Sequence, residues 1–102
     1  MTKKQVKDSL IRQLELQGKT QEFYISLVND YMAMWDMKEK LIKDIRKRGL
    51  RYEVTNGNGI KSEKPNESVQ NLHKTSASML KIITELNLKD PITETNDEEG
   101  LL

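Results

Sequence analysis

The side chains that most often perform chemistry in proteins are few in this sequence and widely spaced. His73 is the only histidine and there is no cysteine, so the usual ligands of a zinc site are missing. Asp30, Asp36 and Asp44 are spread along one predicted helix and do not converge, as carboxylates must for acid–base catalysis. The sequence therefore argues against an enzyme and predicts neither a metal nor a cofactor.

A glycine-rich stretch, Asn56-Gly57-Asn58-Gly59, raises the question of a phosphate-binding loop. Such a loop places glycine directly before Lys-Ser and begins a helix there, whereas here Ile60 stands between Gly59 and Lys61-Ser62, and Pro65 follows. Asparagine and glycine in alternation instead supply the positive φ angles of a hairpin turn. We expect a small exposed hairpin over about residues 51–64.

Basic residues are the remaining candidates for function, and they are concentrated in two segments. Residues 1–19 carry a net charge of +3 and residues 38–51 a net charge of +5. Clustered lysine and arginine side chains suit the phosphates of nucleic acid, although a basic helix end can also simply be solvated and complement the helix dipole. The candidate DNA-binding residues are Lys3, Lys4, Lys7, Arg12, Lys40, Lys43, Arg46, Lys47, Arg48 and Arg51.

The longest predicted element is a helix over residues 20–49, with Thr20 as its expected N-cap and Gly49 at its end. Apolar residues in its first half cover roughly twice the ~100° arc that a helix needs to pack against one partner. Aromatic residues on this arc could stack on bases, but they are better explained as core or subunit contacts. The predicted oligomer interface comprises Tyr24, Leu27, Val28, Tyr31, Met32 and Trp35.

Two further helices complete the predicted fold. Residues 2–16 are predicted to form a short amphipathic helix with Val6, Leu10 and Leu14 spaced four apart, and another helix is predicted from Asn66 to Leu86. The latter should present Val69, Leu72, Ser76, Met79, Leu80, Ile83 and Leu86 on one packing face, and Asn87 should end it. The fold class is all-α: a short N-terminal helix, then a long antiparallel helical hairpin with a small β-hairpin at the connection, in a ring-forming oligomer.

Length and composition agree with one small domain that gains stability by association. The chain has 102 residues, 35% hydrophobic and 32% charged residues, and a mean hydropathy of −0.74. Such a chain is near the lower limit for burying its own core. No stretch reads as a signal peptide or a membrane span, so we expect a location in the cytoplasm and no membrane partner.

The domain organisation follows the changes in charge. A basic N-terminal helix covers residues 1–19, a helical-hairpin and oligomerisation domain covers residues 20–90, and an acidic tail covers residues 91–102. From Asp90 onward the net charge is −5, and the chain ends in Leu101-Leu102. We expect the tail to be mobile in the isolated protein, because it has too few apolar residues to offset the entropy of ordering.

From about Leu41 to Pro91 the sequence resembles the small subunit of phage terminase, the DNA-packaging motor of tailed phages. The resemblance lies in the order of a basic-ended helix, Gly49, the Tyr52-Glu53-Val54 strand, a glycine-rich turn and a helix capped by Asn66. It departs from the family at Asn66-Glu67, where Asn-Pro is frequent, and at Leu86-Asn87-Leu88, where Leu-Gly-Leu is frequent. Both replacements retain the capping chemistry.

The resemblance implies a non-catalytic subunit that assembles as a ring, binds double-stranded viral DNA and delivers it to a large subunit with ATPase and nuclease activities in the host cytoplasm. The tail would then dock on the large subunit, with Glu98, Glu99, Leu101 and Leu102 as the contact residues. The tail could equally be a solubilising end, or could compete with DNA for the basic segments. Two other functions are considered: a small helical scaffold without a DNA role, and a helix-turn-helix regulator.

Overall fold

A computed structural model describes residues 1–88 of the chain, and these form three helices and two strands. The elements are α1 (Lys3–Leu16), α2 (Glu22–Arg48), β1 (Arg51–Thr55), β2 (Lys61–Pro65) and α3 (Glu67–Glu85). The chain divides into two compact units, each treated separately below. We call Met1–Met32 with residues 81–88 the terminal unit, and Ala33–Leu80 the hairpin unit. The mostly helical class with a small antiparallel hairpin is thus confirmed.

Helix α1 is closed at both ends by local hydrogen bonds. The Thr2 hydroxyl accepts from the Gln5 N–H at 3.1 Å while the Gln5 side chain accepts from the Thr2 N–H at 2.8 Å, which is a capping box. At the other end Gly18 adopts a φ of 72°, and Lys19 N–H donates to the Leu14 carbonyl, as in a Schellman motif. The predicted amphipathic face is also found, since Val6 and Leu14 are buried.

The core of the terminal unit is apolar and draws on all three helices. Leu14, Val28 and Leu86 are completely buried, each with an exposed fraction of 0%. Val6, Met32, Ile82 and Leu88, also in this unit, are at least nine-tenths buried. Burying a leucine or valine side chain stabilises a fold by about 1.5–3 kcal/mol, so this cluster is the main source of stability in the unit.

Within the terminal unit, two side chains from the turn after α1 also donate hydrogen bonds to backbone carbonyls at the end of α3. Gln17 Nε2 donates to the Asn87 carbonyl at 3.1 Å, and Lys19 Nζ donates to the Leu86 carbonyl at 3.1 Å. These bonds satisfy carbonyls that lack an intrahelical partner at a helix C-terminus, where a cation is also favoured by the helix dipole.

Helix α2 begins one residue later than an N-cap at Thr20 would place its start. The helix starts at Glu22, and the first carbonyl to accept is that of Gln21, which receives the N–H groups of Tyr24 and Ile25. The prediction that Thr20 is the N-cap is therefore wrong. The predicted C-terminus is confirmed, because Gly49 has a φ of 81° and donates its N–H to the Ile45 carbonyl.

The two strands form an antiparallel hairpin in the register Tyr52↔Lys64 and Val54↔Ser62. Its loop contains the predicted turn: Gly59 N–H donates to the Asn56 carbonyl and has a φ of 76°, a conformation suited to glycine. The Asn56 side-chain oxygen also accepts the N–H of Asn58 at 2.9 Å. The loop is thus closed by its own hydrogen bonds, and β2 is fully exposed along its length.

Helix α3 has the caps that the sequence predicts and most of the predicted packing face. The Asn66 side chain accepts the Ser68 N–H at 2.9 Å, and Asn87 ends the helix with a φ of 58°. Leu80, predicted on the packing face, is 65% exposed, while Ile82 is 9% exposed. The prediction is therefore wrong at Leu80 and misses Ile82. The other predicted residues are buried or half-buried: Val69, Leu72, Ser76, Met79, Ile83 and Leu86.

Within the hairpin unit the two helical segments run antiparallel. Arg48, at the end of α2, hydrogen-bonds Asn66 at the start of α3, and Asp44, one turn earlier, hydrogen-bonds Ser68. Moving back along α2 therefore corresponds to moving forward along α3. The β-hairpin lies at the connection, as predicted.

Candidate nucleic-acid interface

The last turns of α2 present a set of unengaged cations. Lys40, Lys43 and Lys47 follow one another at spacings of three and four residues, which places them on one side of the helix, and Arg46 lies next to them. All four side chains are exposed, and within residues 1–88 they form no hydrogen bond or ion pair. We call these four residues the basic stripe. Unengaged, solvated cations on a rigid helix are free to contact phosphates.

Arg48, in contrast, is occupied by contacts inside the protein. Its guanidinium donates to both oxygens of Asp44, at 2.9 and 3.0 Å, and to Asn66 Oδ1 at 3.2 Å. The ring of Tyr52 lies under it, with the guanidinium carbon 4.3 Å from the ring centre. Such a bidentate, stacked arginine joins the end of α2 to the hairpin and to the cap of α3. Although predicted to bind DNA, Arg48 is engaged in holding these elements together.

Carboxylates around Arg48 complete this arrangement. Asp44 Oδ2 accepts the Ser68 hydroxyl at 2.6 Å, and the Tyr52 hydroxyl donates to Glu67 at 3.2 Å. The hydrogen bonds from Arg48 and Ser68 lower the pKa of Asp44 from 3.8 to about 2. The pKa of Glu67 is lowered by backbone N–H donation at the start of α3 and by Tyr52. We call Asp44, Arg48, Tyr52, Asn66, Glu67 and Ser68 the junction network.

Arg51 is also engaged, though in a more exposed setting. It donates to Glu63 across the hairpin at 2.7 Å. Glu53 and Glu63 lie directly opposite each other in the register, and Lys61 lies 3.9 Å from Glu53. The two cations thus offset the repulsion of a like-charged cross-strand pair. Arg51 therefore balances charge on the hairpin instead of adding a free positive charge to the basic stripe.

The predicted N-terminal cations are mostly paired as well. Lys4 binds Asp8 at 2.8 Å, a contact that raises the pKa of Lys4, and Arg12 binds Glu15 at 3.4 Å. Lys3 also has an interaction partner, whereas Lys7 has none among residues 1–88 and is partly buried. Exposed pairs of this kind are weak, so they reduce the free positive charge without removing it.

The residues predicted at an oligomer interface separate into two groups. Val28 and Met32 are 0% and 5% exposed and belong to the core of the terminal unit, so they are not surface residues of the chain. Four residues of the set remain partly exposed and available to a neighbouring subunit: Tyr24, Leu27, Tyr31 and Trp35.

Other kinds of site receive no support within the described part of the chain. No group of three or more histidine, aspartate or glutamate residues among residues 1–88 is placed to hold a metal ion. None of the helices there combines the length and the apolar character needed to cross a membrane. The predicted docking residues Glu98, Glu99, Leu101 and Leu102 lie outside the described residues.

A basic stripe on a helix that leads through a capped hairpin into a second helix is the arrangement expected of the DNA-packaging family named above. The sequence model of that family, described as phage terminase, small subunit, matches residues 4–94. The chain belongs to the phage terminase small-subunit family. The match extends well beyond the segment 41–91 on which the resemblance was based, and it includes α1. No curated protein and no solved structure is significantly similar to the chain.

Membership of the small-subunit family gives the protein a role in phage DNA packaging. The junction network is the part of this terminase subunit that the sequence analysis missed. Its signal was present in the i, i+4 spacing of Asp44 and Arg48, a spacing typical of helical ion pairs. The involvement of Asn66 and Tyr52 had no such signal, because it depends on how the chain folds after Gly49.

Proposed function

We propose that this protein is the non-catalytic DNA-recognition subunit of the packaging motor, acting in the host cytoplasm. In this proposal several copies form a ring, the ring binds double-stranded viral DNA through the basic stripe, and the complex delivers the DNA to the large ATPase and nuclease subunit. The observation that carries the proposal is the basic stripe itself: four exposed, unengaged cations in a chain of the small-subunit family.

A ring makes such a small stripe effective. One stripe provides only a few phosphate contacts, but repeating it around a ring brings many cations to a single duplex. Phosphate contacts of this kind position a protein on DNA without reading the sequence. We therefore attribute affinity to the basic stripe and leave sequence preference to other groups.

The test is the salt dependence of DNA binding. Replacing Lys40, Lys43 and Lys47 together by alanine should weaken binding and flatten the plot of log affinity against log salt concentration, by about 0.9 for each lost phosphate contact on B-DNA. The matched control replaces Lys3, Lys4 and Lys7 by alanine, which removes the same charge from α1. If the control flattens the plot and the α2 variant does not, α1 is the DNA-binding surface.

Assembly is tested separately, through a residue that is not part of the core. Trp35→Glu should lower the mass measured by light scattering, because it places a carboxylate at the proposed subunit contact. Ile60→Glu at the tip of the hairpin, where the side chain is 59% exposed, is the control and should leave the mass unchanged. A Trp35→Glu variant with the parent mass would contradict an interface there, and assembly without any DNA binding would favour the scaffold function.

Delivery to the large subunit is proposed to involve the tail. Deletion of residues 92–102 should leave the ring in place, with DNA affinity no lower than in the parent, while abolishing stimulation of the large subunit. Tighter and less selective DNA binding after the deletion would show, in addition, that the tail competes with DNA for the basic stripe. If the deletion changes neither property, the tail has no role in either step.

A further inference from the structure

A groove runs between α2 and α3 inside the hairpin unit and is not used by the proposed DNA contact. It consists of two adjoining cavities of about 460 and 150 Å³, which share Met37, Lys74 and Thr75. The groove is open because α3 contributes short side chains such as Thr75 and Ser78 opposite the longer Met37 and Leu41 of α2. We call this the interhelical groove.

The chemistry of the interhelical groove is apolar with positive edges. Met37 is 53% exposed and lines both cavities, so it gives the groove an accessible apolar surface. Among residues 1–88, the charged residues that line the groove are Lys40 and Lys74, and no acidic residue of this part of the chain lines it. Neither lysine forms an ion pair within residues 1–88. A ligand that suits this surface combines apolar side chains with carboxylates.

The chain itself contains a segment with this composition. Residues 89–102 include five acidic residues and end in Leu101 and Leu102. At full extension the segment spans about 45 Å, which is long enough to reach a neighbouring molecule. Its acidic residues are Asp90, Glu94, Asp97, Glu98 and Glu99.

We propose that the interhelical groove of one copy binds segment 89–102 of a second copy. Leu101 and Leu102 contact Met37, and the carboxylates of the segment lie beside Lys40 and Lys74. The aliphatic stems of the two lysines extend the apolar surface while their ammonium groups meet the acids. This inference rests on the proposed assembly of several copies, since the segment comes from a neighbour.

Such an occupant would also regulate DNA binding. Lys40 belongs both to the basic stripe and to the interhelical groove. While an acidic segment neutralises Lys40, that lysine is not available to a phosphate. The segment therefore weakens non-specific DNA binding, and a partner that withdraws the segment restores it.

The test is a crosslink in the full-length protein. Leu101 is replaced by the photoreactive residue benzoylphenylalanine, which inserts readily into methionine side chains, and this variant is mixed with isotopically labelled protein that lacks the substitution. Mass spectrometry should then show crosslinks from position 101 to Met37 or Met34 of the labelled copy. Crosslinks that map elsewhere would overturn the proposal.

Matched variants show whether charge and apolar contact both matter. Lys74→Glu should reduce the crosslink yield by about tenfold, because it replaces an attraction with a repulsion. Lys43→Glu, which alters the basic stripe but not the groove, should leave the yield unchanged. Met37→Ser should reduce the yield, whereas Leu80→Ser, at another exposed apolar residue, should not. An unchanged yield in both Lys74→Glu and Met37→Ser would overturn the proposal.

The same variants separate this inference from the proposed function. Light scattering reports on the ring, and DNA affinity reports on the basic stripe. A ring that forms and binds DNA without the crosslink would refute the inference alone, while loss of the ring itself would also refute the proposed assembly. If Lys74→Glu weakens DNA binding without affecting the crosslink, the groove contacts nucleic acid and the proposal is wrong.

Discussion

The terminal unit and the hairpin unit are buried in different ways. Of the buried residues in the described chain, seven of the eight apolar ones lie in the terminal unit, whereas Asn66, Ser68 and Thr75, the buried polar ones, all lie in the hairpin unit. The terminal unit is therefore stabilised chiefly by apolar burial. The hairpin unit depends more on buried hydrogen bonds, which require correct distances and angles. Its charged side chains lie on the outer surface.

The difference matters for function because apolar cores and polar networks lose stability for different reasons when a residue is substituted. An apolar core loses stability in proportion to the volume removed, while a buried polar network loses it when one partner is left unsatisfied. In this protein the polar network lies at the same end of α2 as the basic stripe. The position of the stripe is thus set by directional contacts.

The largest expected effect on stability concerns the apolar core of the terminal unit. Leu86→Ala removes a completely buried side chain and should lower the free energy of unfolding by about 2–5 kcal/mol. Leu80→Ala, within α3 and 65% exposed, should change it by less than about 0.5 kcal/mol. Urea denaturation of both variants measures the difference. Equal effects would show that the terminal unit does not depend on this core.

A smaller loss of stability is expected when Asn66, the N-cap of α3 and a member of the junction network, is replaced. Asn66→Ala removes the acceptor for the Ser68 N–H and the donor to the Gly49 carbonyl, and should cost about 1–2 kcal/mol. Asn66→Asp keeps the acceptor and loses only the donor, so it should retain more stability. An alanine variant as stable as the parent would mean that water replaces both hydrogen bonds.

The junction network should also make stability depend on pH in the acidic range. The folded-state pKa of Asp44 is lowered to about 2 from an ordinary value of 3.8. A carboxylate with a lowered pKa contributes stability above its unfolded-state pKa and loses it as the pH falls through the folded value. Unfolding measured between pH 5 and pH 2 should show this loss, and Asp44→Asn should reduce the slope. An identical slope in the variant would exclude Asp44 as its source.

The smallest effect on stability is expected in the basic stripe, where the effect on DNA binding is larger. Lys43→Ala should leave the free energy of unfolding within about 0.5 kcal/mol of the parent and reduce the salt slope of DNA binding by about 1. Arg48→Ala should show the opposite pattern, with lower stability and an almost unchanged slope. Denaturation and DNA titration at several salt concentrations distinguish the two. A reversed pattern would place Arg48 at the DNA.

Local sequence signals predicted much of this fold. Gly49, Asn66 and Asn87 were identified as helix ends from their residue types, and each has the expected geometry. The hairpin turn at Asn56–Gly59 was predicted for the same reason. These features depend on a few neighbouring residues, so the sequence specifies them without knowledge of the rest of the chain.

Features that depend on distant parts of the chain could not be predicted in the same way. The predicted packing face of α3 included Leu80 and left out Ile82, because both border the apolar stripe and only tertiary packing chooses between them. Arg48 was grouped with the free cations, although contacts with Asn66 and Tyr52 engage it. Val28 and Met32 were assigned to an interface because helical periodicity does not say which apolar residues the chain buries itself.

The turn at the tip of the hairpin also has a consequence for how the protein ages. An asparagine followed by glycine loses its side-chain amide when the next backbone nitrogen attacks it, and the product is an aspartate or its isomer. The amide oxygen of Asn56 is held by two backbone N–H groups, those of Asn58 and Ile60, whereas the Asn58 side chain makes no hydrogen bond within residues 1–88. Asn58 should therefore deamidate first. Stored samples would then gain a negative charge at the tip of the hairpin, and ion-exchange chromatography would resolve them as a separate, more acidic species.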